Sequence, residues 1–241
     1  MAGMWRIGAP LVLVGLVTAA CGGSSADSGR APEPVERAAA PTPPPVAAAG
    51  PAQRRVVFLG DSLTAGLGLP IEDAYPSIIE RRLQARGQGW TVANAGVSGD
   101  TSAGGIRRLD WVLEGGAAVV IVALGANDGL RGLPVEDLER NLETIVVRAK
   151  AAGATVILAG MEAPPNTGPD YTQRFRQVYS AVAARHELAL VPFLLDGVAG
   201  EDRLNQADGI HPNREGAQRV ADVVWKTLEP VIAAREKVPT E

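Results

Sequence analysis

Five short apolar runs set the strongest limit on what this chain can fold into. They are Arg55–Gly60 (RVVFLG), Thr91–Ala95 (TVANA), Ala117–Leu124 (AAVVIVAL), Thr155–Gly160 (TVILAG) and Leu188–Pro192 (LALVP). Val- and Ile-rich runs without alternation suit strands buried on both faces. Helical spacing fills the gaps between them. Val135, Leu138, Leu142, Ile145, Val146 and Ala149 recur at three-four intervals, as do Phe175, Val178, Tyr179, Val182 and Ala183. Ala217, Val220, Ala221, Val224, Leu228 and Val231 continue the pattern near the C-terminus. The alternation predicts an α/β fold with a parallel sheet covered on both sides. In such sheets ligands sit at the carboxyl ends of the strands, so the residues just after each run carry the functional information.

The N-terminus stands apart. Arg6 precedes an apolar run from Ile7 to Ala20, too short to span a membrane, which takes about 20 residues. A basic start, a short apolar core and small residues at the end form the pattern of a secretory signal peptide. Val17-Thr18-Ala19-Ala20-Cys21 resembles the lipobox of bacterial lipoproteins, with Thr18 departing from the usual leucine. Residues 1–21 are therefore expected to be a lipoprotein-type signal ending at the lipidated Cys21, with export to the cell envelope as a periplasmic-side membrane lipoprotein; plain secretion with an inert cysteine is the alternative. Residues 22–52, rich in Gly and Ser and then in Ala and Pro, cannot bury enough apolar surface to order themselves and are expected to form a tether. Residues 53–241 remain as one domain.

Composition closes off several functions. Lys and Arg number 23 against 27 Asp and Glu, mixed along the chain, which leaves no footprint for nucleic acid. One cysteine excludes an intramolecular disulfide and a cysteine-built zinc site. With two histidines, any imidazole chemistry belongs to His186 or His211.

Four motifs stand out, three just after apolar runs and one before the last helix. Gly60-Asp61-Ser62-Leu63 follows the first run. A serine at such a turn can present its hydroxyl above the sheet, and it can equally cap a helix. Thr64 breaks the lipase elbow G-x-S-x-G. After the second run, Gly96 either brings a bare backbone N–H to a ligand or makes a turn. After the third, Asn127 offers a side-chain amide in a turn-forming sequence. Asp208 and His211 lie three apart in a loop before the last helix, where the carboxylate can accept from Nδ1 and leave Nε2 as a base. A metal reading of that pair lacks further ligands. His186 continues an apolar helix face and reads as its packed terminal residue.

Taken in order, GDSL (60–63), NAGVSGDTS (94–102), GANDGLRG (125–132) and DGIHPN (208–213) resemble the SGNH, or GDSL, hydrolase superfamily. The last three are similar to its bacterial branch with thioesterase, lysophospholipase and arylesterase activities. The resemblance implies a flavodoxin-like three-layer α/β/α sandwich with a five-stranded parallel sheet. It implies Ser62 as nucleophile, His211 as general base and acid, and Asp208 as the group orienting His211. It assigns the oxyanion to Ser62 N–H, Gly96 N–H and the Asn127 amide, and implies no metal or organic cofactor. The expected substrate is a small acyl ester or thioester, with Leu67, Leu69, Ile71, Leu130, Leu133 and Met161 as candidate walls of an acyl groove. Asp61 and Asp128 are expected to hold their own turns. A carbohydrate O-acetylesterase and a non-catalytic envelope binding module are the alternatives on the same fold.

Overall fold

The computed structural model describes residues 54–237. The signal peptide, Cys21 and the tether lie outside them. Five strands, β1 (Arg55–Gly60), β2 (Thr91–Gly96), β3 (Val119–Ala123), β4 (Thr155–Ala159) and β5 (Ala189–Val191), form one sheet in the order β2-β1-β3-β4-β5. Every pairing is parallel. Helices α1 (Ser62–Ala65), α2 (Tyr75–Ala85), α3 (Ser102–Leu113), α4 (Ala126–Leu130), α5 (Val135–Ala151), α6 (Pro169–Arg185) and α7 (Arg214–Glu236) connect them. Helices α2 and α7 pack together over one face of the sheet, while α5 packs between α3 and α6 over the other. The three-layer arrangement follows from parallel strands, whose crossovers put a helix on each face.

The apolar runs became strands, but only β1, β3 and β4 are buried on both faces. In β2 Thr91 and Asn94 are exposed, and β5 buries only Val191 fully. These are the two edge strands, and their runs were the ones with fewest Val and Ile. The apolar faces of α5 and α6 are buried as the spacing predicts. In α7 the stripe runs through Leu228 to Ile232 instead of Val231, because a further four-residue step keeps it facing the sheet. Helices α2 and α3 were not anticipated. Among the described residues no helix is long and apolar enough to cross a membrane.

The strand order creates the site. The chain leaves β1 for β2 on one side, then returns to β3 on the other. Loops after β1 and β3 thus diverge and leave a crevice at the carboxyl ends. Ser62 follows β1, and Asn127 follows β3.

Candidate active site

Ser62 opens the four-residue helix α1 directly after β1. Asp61 caps that helix, with Oδ1 accepting the Leu63 N–H at 3.0 Å. The turn is held from below by the buried pair Thr64 Oγ1 and Tyr75 Oη, 2.8 Å apart. Serine is therefore presented by a rigid turn, only 9% exposed.

His211 reaches the serine from a loop 149 residues away. Its Nε2 lies 2.9 Å from Ser62 Oγ, and its Nδ1 lies 2.7 Å from Asp208 Oδ2. The other Asp208 oxygen accepts the backbone N–H groups of Ile210 at 2.9 Å and His211 at 3.0 Å. The His211 and Ile210 backbone N–H groups, then the His211 ring, hold the Asp208 carboxyl down to about 2. An ionised Asp208 only accepts, so His211 Nδ1 carries the hydrogen and Nε2 presents its lone pair to the serine hydroxyl. That arrangement can take a proton from Ser62 and later return it. The loop itself is tied back by the Gln206 N–H on His211 O at 2.7 Å. His186 ends α6 as expected and takes no part.

Gly96 is not where an oxyanion donor should be. It is the last residue of β2, paired with Gly60, and its N–H donates to Asn94 Oδ1 at 2.9 Å. A Cβ there would stand 2.2 Å from Ala65 N, so the glycine serves close packing against α1. Gly99, three residues on, borders the same groove as Ser62, Asn127 and His211. Its φ of +80° favours glycine, and its N–H has no protein acceptor among the described residues. The Gly96 N–H expected to face a ligand is thus already taken, while the Gly99 N–H of the same NAGVSGDTS stretch is open to the groove. Asn127 Nδ2 donates to Asp100 O at 3.0 Å and makes only a long contact, 3.5 Å, to Asp61 Oδ2, so its second amide hydrogen is weakly held and can turn to a ligand.

The other acidic residues divide differently from expectation. Asp61 does hold its own turn. Asp128 instead caps α3 across the fold, accepting Ser102 N–H at 2.9 Å and Ser102 Oγ–H at 2.6 Å. Among the described residues no three His, Cys, Asp or Glu side chains gather in a way that could hold a metal ion.

Burial pushes the Asp61 carboxyl up to about 6, against the Leu63 N–H that favours its charged form. A carboxyl with its folded pKa raised is a burden above that value. The burden is relieved as pH falls from about 6 toward 3.8, its ordinary value. Between pH 7.5 and pH 4.5 the unfolding free energy should therefore rise by about 2 kcal/mol relative to Asp61→Asn. Urea titrations of both chains at the two pH values measure this, and parallel profiles would contradict it.

An open groove of about 490 Å³ runs from Ser62. Leu67, Leu130 and Met161 line it, as expected. Ile71 is 71% exposed and Leu133 lies off the groove, while Leu69 borders a small void beneath Leu67. Pro164, Phe193, Leu195 and Ile210 are among the further apolar residues that line it and were not anticipated.

With this geometry, residues 58–219 match the GDSL-like lipase/acylhydrolase family. The chain belongs to that family. As a GDSL-family protein it is a carboxylic ester hydrolase of α/β fold. It is 44% identical over 182 residues to esterase TesA of Pseudomonas aeruginosa, covering 75% of this chain and 90% of the relative. It is 36% identical over 178 residues to thioesterase 1/protease 1/lysophospholipase L1 of Escherichia coli K12, covering 73% and 84%. Among solved structures it is similar to the psychrotrophic esterase EstA from Pseudoalteromonas sp., inhibited by monoethylphosphonate. There the identity is 32% and the TM-score 0.71, with 75% of this GDSL-family chain and 99% of the other covered.

Proposed function

We propose that this chain hydrolyses carboxylic esters or thioesters of medium-length acyl chains through an acyl-enzyme on Ser62. The observation that carries the reading is the unbroken line from Asp208 through His211 to Ser62 Oγ at the head of an apolar groove. His211 Nε2 takes the serine proton as Oγ attacks the carbonyl carbon. It then protonates the leaving alcohol or thiol, and water repeats the cycle on the acyl-enzyme. Asp208 keeps the imidazole in the right tautomer. Ser62 N–H, Gly99 N–H and the second Asn127 amide hydrogen receive the negative charge that develops on the carbonyl oxygen.

Groove size favours acyl chains over acetyl groups, which would leave most of it unfilled. Each buried methylene contributes up to about 0.8 kcal/mol. kcat/KM for p-nitrophenyl octanoate should exceed that for the acetate by at least about tenfold, since an open groove buries only part of the chain. A flat or falling series would favour the O-acetylesterase reading. No hydrolysis of any ester would favour the binding module.

Export and acylation at Cys21 belong to the same proposal and rest on residues 1–52 of the sequence alone. Cys21→Ser should move the protein out of the membrane fraction of an expressing bacterium or leave an uncleaved precursor. Unchanged fractionation would contradict the anchor.

A further inference from the structure

We infer that Arg108 is a positioning residue for hydrolysis, holding the nucleophile turn and the Gly99 loop at a fixed separation; the inference rests on the site proposed above. Arg108 lies on α3 and does not border the groove. Its guanidinium runs beneath the ends of β1 and β2. Nη2 donates to Gly60 O at 2.8 Å, Nη1 to Ala95 O at 2.6 Å, and Nε to Asp100 Oδ2 at 2.7 Å.

Each acceptor adjoins a part of the proposed machinery. Gly60 is two residues before Ser62, and its carbonyl also accepts Val97 N–H at 3.0 Å. Ala95 precedes the turn into Val97–Asp100. Asp100 follows Gly99, and the Asp100 carbonyl is the acceptor that orients Asn127. One planar cation thus joins the end of β1, which leads into Ser62, to the end of β2 and the turn that carries Gly99, and it reaches Asn127 only through the Asp100 carbonyl.

The contact differs from an ordinary ion pair. Two of the three donors go to backbone carbonyls at the strand ends and only one to a carboxylate. The Arg108 and Asp100 side chains are 17% and 12% exposed, so solvent screens them weakly. A rigid fork of N–H groups can span three acceptors, whereas a lysine ammonium places all its donors on one atom. A misplacement of about 1 Å in such a centre can lower the rate on the order of 10²-fold.

The test separates positioning from stability. Arg108→Met alone would strand the Asp100 carboxylate, so it is combined with Asp100→Asn, and Arg108→Lys is made as the charge-conserving variant. For folded protein, verified by urea unfolding, kcat for p-nitrophenyl octanoate should fall about 10²-fold in the double variant. KM should stay within about threefold, because the groove walls are untouched. Arg108→Lys should unfold close to the parent yet keep a kcat loss of at least about tenfold. In Arg108→Ala, added ethylguanidinium should restore part of kcat. A folded double variant or Arg108→Lys chain with kcat within about threefold of the parent would overturn the inference alone. A parent chain that hydrolyses no ester would overturn the site reading beneath it.

Discussion

Ser62→Ala and His211→Ala should each lower kcat/KM for the octanoyl ester by about 10⁵-fold or more, and the double variant should lose little beyond either. Nucleophile and base act as a unit. Without Nε2 at 2.9 Å the hydroxyl keeps its proton, and without the hydroxyl the imidazole has nothing to activate. Asp208→Asn should retain more activity than either, because 45% of the Asp208 side chain meets solvent and its main part is to orient the ring. His186→Asn should hydrolyse normally, since His186 lies at the C-terminal end of α6. Steady-state kinetics on folded variants decides this. A His186 variant as damaged as the His211 one would overturn the assignment.

Asn127→Ala is expected to cost roughly 10²–10³-fold in kcat with little change in KM. The amide hydrogen not engaged by Asp100 O is the donor at stake. It gains strength only as charge moves onto the carbonyl oxygen, so its loss is felt in the transition state and scarcely in binding. Asn127→Asp should be at least as damaging. It replaces a donor by an acceptor near the oxyanion and near the buried Asp61 carboxyl. A loss confined to KM would show that Asn127 binds substrate and does not stabilise the oxyanion.

The parts of the site legible in the sequence were those set by local chain geometry. Asp208 and His211 need only a turn to meet, and their spacing of three, with Gly209 and Ile210 between them, suffices. Ser62 is placed by β1, whose continuous apolar run ends at Gly60. Whether the Gly96 N–H could face a ligand depended on register, which a single strand does not display. Pairing of Gly60 with Gly96 keeps the latter inside β2, and the chain must turn before any N–H can face the groove. The groove was hard to read for a related reason. Pro164, Phe193 and Ile210 come from three loops separated by whole elements, and only the sheet order brings them together. Edge exposure of β2 likewise follows from topology, although Thr91 and Asn94 in its run were a visible sign. Arg108 carried no signal in the sequence. Its neighbour Arg107 is exposed, and only tertiary contact distinguishes the two.

The central claim is that Ser62 is the nucleophile, and covalent labelling tests it most directly. A p-nitrophenyl alkylphosphonate should inactivate the protein with release of one p-nitrophenolate per chain. Peptide mass spectrometry should find the phosphonyl group on Ser62, with no adduct in Ser62→Ala and a much slower reaction in His211→Ala. Stoichiometric labelling of another residue, or an active Ser62→Ala chain that labels as the parent does, would contradict the account.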